Sequence, residues 1–187
     1  MVSGGGVGQF LLQSVQALYK LLVMLGRRED KDMRIERIVD TPTGIERVFA
    51  YLSDFTTTTE WDPGTVRTEL VKGSGAMGSV YRNSSRFMGR ENVLEYTLVA
   101  LDAPGCIELR GTGSHLIAHD SMRLSSRPDG GTRVIYAADF QFDGWLRWVA
   151  PAMAPFFRKL GDDAQHGLKS CLDALPQDLH TPHPTTR

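Results

Sequence analysis

His115, His119 and Asp120 are the only concentrated set of acid–base groups in the chain. They fall in HLIAHDSMRLSS (115–126), where apolar and polar residues alternate as in a half-buried strand. Counting back from Met122 and Leu124 as inward-facing, Asp120 also faces inward and His119 outward. Burial raises the pKa of a carboxylate, and a raised pKa suits the general base of an aldol-type cyclisation or an isomerisation. Tyr81, Tyr96 and Tyr136 are the candidate proton donors. The competing account, which the residues favour, is a structural Asp120 bonded to a backbone group or to an arginine such as Arg82, Arg86 or Arg110.

Other chemistry finds little support. There is no Ser-His-Asp order, no cysteine–histidine pairing by spacing and no HExxH. GSGAMG (73–78) lacks the Lys-Ser/Thr of a phosphate-binding loop and precedes a strand, so it reads as a hairpin turn. Cys106 and Cys171 are far apart and read as two reduced thiols, neither a disulfide framework nor a zinc site. No metal and no cofactor is expected. With 21 Lys+Arg against 22 Asp+Glu and a net charge of −1, there is no basic excess to hold a nucleic-acid backbone.

The elements that must position Asp120 follow from periodicity. RIERIVD (34–40) alternates as a strand. Thr41-Pro42 then suits the start of a helix over 42–53, with Ile45, Val48, Phe49 and Leu52 on one face. Thr57 and Glu60 have capping-box spacing for a second short helix, which Asp62-Pro63-Gly64 stops. In this reading YLSDFTTTTEWDPG (51–64) is a lid segment anchored by Trp61, which plugs the end of the barrel, touches the ligand, or does both. Six strands follow: 66–73, 79–87, 92–101, 106–113, 115–126 and 132–142. The last puts Val134, Tyr136, Ala138, Phe140 and Phe142 on one face. From Trp145 to Leu175 the period is helical again. Pro151 and Pro155 predict a short helix at 144–149 and a long one at 152–174, because an interior proline costs ~3 kcal/mol.

Two segments flank this body. Residues 176–187 are polar and proline-bearing and read as a disordered tail. Residues 1–32 hold an amphipathic helix at 9–26 and a charged linker, 27–32. The helix is too polar and short to span a bilayer. Its stripe of Phe10, Leu11, Val15, Leu18, Leu22 and Leu25 can seat in a groove of the same domain, on a partner chain or on a membrane; translation beginning at Met33 is a further account. Lys20, Arg27 and Arg28 favour peripheral contact with anionic lipid. The expected location is cytoplasmic, with association at the inner membrane surface. Deleting residues 1–32 is expected to leave the melting temperature unchanged and to abolish sedimentation with anionic vesicles. A large fall in melting temperature would place the helix on its own domain instead.

The order strand, two short helices, six strands, long helix resembles the helix-grip fold of the START and birch-pollen-allergen (SRPBCC) superfamily, nearest its polyketide cyclase/dehydrase branch. VFAYLSDFTTTTEWDPG (48–64), GAMGSVY (75–81), GRENVLEYTL (89–98), GGTRVIYAADF (130–140) and the Pro151–Gly161 helix carry the likeness, which covers residues 33–175. It implies an α+β fold: a seven-stranded, curved antiparallel sheet wrapped around the long C-terminal helix. It also implies a hydrophobic small molecule, such as a lipid, sterol or polyketide, in the gap between them. Coenzyme Q-binding and toxin relatives stay open. Alternation nominates the cavity wall: Trp61, Tyr81, Leu94, Tyr96, Leu98, Met122, Leu124, Tyr136, Ala138 and Phe140, with Met153, Phe157, Leu160 and Ala164 from the helix. The rival function is a cyclase, aromatase or dehydratase with Asp120 as its base.

Overall fold

The period-two stretches pair into one antiparallel sheet of seven strands, ordered β1-β7-β6-β5-β4-β3-β2. A computed structural model describes residues 33–87, 89–144 and 146–176. The amphipathic helix at 9–26, the linker at 27–32 and the tail from residue 177 lie outside them. The strands are β1 (Met33–Thr41), β2 (Thr65–Lys72), β3 (Val80–Phe87), β4 (Arg90–Asp102), β5 (Cys106–Thr112), β6 (Leu116–Ser126) and β7 (Thr132–Phe142). The first and last strands are neighbours, in register from Met33 opposite Phe140 to Thr41 opposite Thr132. Register shifts interrupt the β2–β3 and β4–β5 ladders. Such irregularities increase local twist and help a sheet curve around a helix.

The helices are α1 (Ile45–Ser53), α2 (Thr58–Trp61) and α3 (Leu146–Ala174), with a 3-10 turn at Phe55–Thr57. Helix α1 begins three residues later than the sequence predicts. Thr41 is still part of β1, and its hydroxyl accepts from the Thr43 amide at 3.3 Å. Gly44 then precedes the helix without a side-chain cap. Buried threonines fix this corner: Thr132 Oγ1 donates to the Thr43 carbonyl at 2.6 Å, and Thr43 Oγ1 to the Leu172 carbonyl of α3 at 2.8 Å.

Helix α3 is one helix through Pro151 and Pro155, where two were expected. Both prolines are exposed, so carbonyls deprived of a donor can turn to water instead of lying unsatisfied in the core. The face of α3 toward the sheet carries Phe157, Gly161, Ala164, Leu168 and Leu172, all buried. At the sheet edge Arg37 of β1 reaches Asp162 of α3 at 2.7 Å. No helix among the described residues is long and apolar enough to cross a membrane.

Candidate functional site

Because α3 crosses a curved sheet, the two separate toward one end of the molecule. A cavity of about 490 Å³ opens there. Its apolar wall includes Ile35, Leu94, Phe140, Met153, Phe157 and Leu160. Of the residues nominated from sequence, Trp61, Leu94, Tyr96, Asp120, Tyr136, Ala138, Phe140, Met153, Phe157, Leu160 and Ala164 line it. Tyr81, Leu98, Met122 and Leu124 do not. They share the inward face but lie farther along their strands, where α1 and the 3-10 turn cover the sheet. There they pack into a closed core with Val48, Leu52 and Phe55. The Tyr81 and Phe55 rings meet edge to face at 5.6 Å.

Asp120 is inward and 5% exposed, opposite Ala138 on β7. Alternation along β6 places it there, between buried Ala118 and Met122. The Tyr136 hydroxyl donates to its Oδ1 at 3.3 Å, and the Tyr96 hydroxyl also bonds to it. Among the described residues no arginine pairs with it: Arg82 lies 3.4 Å from Glu95 on the outer face, Arg86 is exposed at the cavity mouth, and Arg110 is exposed. The favoured arginine or backbone pairing is therefore replaced by two tyrosines. Burial pushes the Asp120 carboxyl up to about 7; the Tyr96 hydrogen bond opposes this and the charge of Asp62 adds to it. Burial, and then the Asp120 charge, push both Tyr96 and Tyr136 well above their ordinary value.

His115 and His119 do not join Asp120. His119 faces outward, 3.5 Å from Glu108. His115 sits exposed at the cavity mouth, 2.8 Å from Asp143.

Trp61 is 3% exposed, with its ring edge-on to Tyr136 at 5.7 Å. Hydrogen bonds and packing hold its segment in this closed position. Tyr51 donates to Glu60 at 2.8 Å, the Thr58 and Thr68 hydroxyls bond at 2.7 Å, and Gly167 of α3 abuts the Trp61 backbone. The predicted Thr57 cap does not form. Instead Asp54 accepts from the Thr56 amide, while Thr57, Thr58 and Thr59 donate back to carbonyls three residues earlier. The threonine run thus satisfies its own turn, which lets Trp61 be held as part of a wall.

Sequence reasoning missed a polar strip on the same wall. Asp62, read only as a helix stop, accepts from the Gly64 amide at 2.9 Å and from Thr65 Oγ1 at 2.7 Å. Burial raises its pKa, and those two bonds oppose the rise. Asn83 donates to Thr68 Oγ1 at 2.7 Å and to Thr65 Oγ1 at 3.2 Å. The Asp-Pro-Gly-Thr turn signalled Asp62 as a turn acceptor. The alternation of β3 signalled that Asn83 shares the inward face of Tyr81.

The sequence from residue 33 to 173 matches the family model described as polyketide cyclase / dehydrase and lipid transport. The chain belongs to that family. It lies in the SRPBCC superfamily, and its helix-grip fold is that of solved relatives. One is the Zhui aromatase/cyclase from Streptomyces sp. R1128, at 14% identity and a TM-score of 0.62 over 75% of this chain and 93% of that one. Another is a START superfamily protein from Mycobacterium smegmatis, at 15% identity and 0.62 over 76% and 99%. No curated protein matches the sequence. At such identities the solved structures establish the fold of this family member and leave its chemistry to the cavity.

Proposed function

We propose that this protein binds a hydrophobic small molecule, lipid, sterol or polyketide-like, between the sheet and α3. One observation carries the reading: the cavity of about 490 Å³ has a largely apolar wall and falls within the range of small-molecule sites. Lipid transport in the family description supports it. The neutral, polarity-sensitive dye Nile red is expected to brighten on binding. At a hundredfold excess over its Kd, a ligand stabilises the native state by ~2.7 kcal/mol. For a chain of this size that is a rise in melting temperature of roughly 5–10 °C. Ala138→Phe, which fills the cavity from β7, is expected to keep the fold and lose the dye. Equal dye binding by that variant would place the ligand elsewhere and sink the proposal.

A second reading rests on Asp120 between Tyr96 and Tyr136. A carboxyl that titrates near 7 beside two hydroxyls can take and return a proton at neutral pH. That is the equipment of a cyclase or dehydratase, and the similar aromatase/cyclase structure lends it weight. Native mass spectrometry of the protein from its own host would identify a bound substrate or product. Conversion of that substrate by Asp120→Asn at the unaltered rate would remove Asp120 from the chemistry.

A further inference from the structure

We infer that the buried end of the cavity receives the ammonium head of an apolar amine. The inference rests on the cavity being a ligand site and names the class of ligand. The apolar wall accepts any oily body, so discrimination falls to the polar groups at the closed end. Among these are Asp62, Asp120, Asn83 and the Trp61 indole N–H, a buried donor with no partner among the described residues; the rings of Trp61, Tyr96 and Tyr136 lie on the same wall.

The hydrogen-bond network fixes which way Asn83 faces. Thr65 Oγ1 spends its hydrogen on Asp62 Oδ2, so toward Asn83 it can only accept. The amide nitrogen therefore points at Thr65 and Thr68, and the amide oxygen points away from them. That oxygen accepts no hydrogen bond within the described residues, although Asn83 is only 6% exposed and lines the cavity. An acceptor that opens onto the cavity can take a donor from the cavity's occupant.

The charge pattern selects the donor. Asp62 and Asp120 are close enough that the charge of one disfavours the charge of the other. Among the described lining residues there is no lysine and only Arg86 and His115 are basic, and both are exposed at the mouth. An ammonium offers three donors and a positive charge to two carboxylates and one amide oxygen. Aromatic faces attract a cation further, by ~2 kcal/mol when it is desolvated. A hydroxyl offers one donor and leaves the paired negative charges uncompensated. A carboxylate or phosphate head offers no donor and adds a third negative charge.

Isothermal titration of the full chain at pH 8 with 2-naphthylmethylamine, 2-naphthylmethanol and 2-naphthoate tests this on one skeleton. The amine is expected to bind at least ~10-fold tighter than the alcohol, the scale of one desolvated cation–π or charge contact, with naphthoate weakest. Asp120→Asn and Asp62→Asn are each expected to cut amine affinity by about 10-fold and to shrink the amine's advantage over the alcohol. Alcohol or naphthoate binding as tightly as the amine would overturn the inference. So would an amine preference that survives both substitutions. If Nile red binds but the amine has no advantage, only this inference falls. If neither Nile red nor any naphthyl probe binds, the ligand-binding reading falls with it.

Discussion

Asp120→Asn is expected to raise the melting temperature at pH 8 by roughly 5–15 °C, although it removes a carboxylate that holds two hydrogen bonds. The sign follows from linkage. Asp120 titrates at about 7 in the folded chain, against an ordinary 3.8. Between those values the native state keeps a proton that the unfolded state has lost, so stability falls as pH rises. Above about 7 the folded protein carries the full cost of a buried charge, on the order of 4 kcal/mol at most for a shift of this size. Asparagine has the same shape and no charge to bury. The two proteins should therefore have similar melting temperatures near pH 4. The gap should open between pH 4 and 7 and stay level above that. Taking the difference between the proteins cancels the other titrating groups, to the extent that they act independently. A gap that does not change with pH would show that Asp120 is not a buried, neutral-leaning acid. A residue kept at such a cost to stability is expected where function requires it, as at a ligand or proton-transfer site.

Much of this site was legible because a strand allows only two directions. Once the apolar face of β7 was recognised, Tyr136, Ala138 and Phe140 had to point the same way. Counting from Met122 sent Asp120 to that side as well. What alternation cannot show is where along an inward face the cavity stops. Tyr81, Leu98, Met122 and Leu124 obey the same parity as the lining residues, and the packing of α1 decides that they are core. Partner choice was hidden for a similar reason. Arg82 and Arg110 were plausible companions for Asp120 by charge, yet both fall on the outer face. Of the tyrosines that do bond Asp120, Tyr136 comes from the adjacent strand β7 and Tyr96 from β4, its ring crossing β5 over Gly111; only the sheet order brings them together. Asp62 and Asn83 escaped notice because each has an ordinary local explanation, a turn and a strand. Their shared wall is a tertiary fact.

Gly167→Ala should lower stability by about 2 kcal/mol, although alanine is the better helix former by ~1 kcal/mol. Two effects compete, and contact distance decides between them. A Cβ on Gly167 would lie far inside the contact radius of the Trp61 carbonyl oxygen and 3.0 Å from the carbonyl carbon. Those are backbone atoms at the end of α2, held by the Thr58–Thr68 bond and by the Asp62 turn. They cannot swing aside as a side chain would, so α3 has to lift from α2. The melting temperature should fall by roughly 4–8 °C. Nile red binding should weaken too, because Trp61 lines the cavity. Gly161→Ala is the informative comparison. Its Cβ would meet the Ile35 Cγ2 methyl and, at 3.2 Å, the Arg37 guanidinium, side-chain atoms that have more room to adjust than the Trp61 backbone although Ile35 is stiff at χ1. That substitution should cost less than Gly167→Ala. If Gly161→Ala proves the more damaging, or Gly167→Ala is neutral, then α3 does not seat on the Trp61 backbone as closely as described. The account of Trp61 as a wall held in this closed position would be wrong.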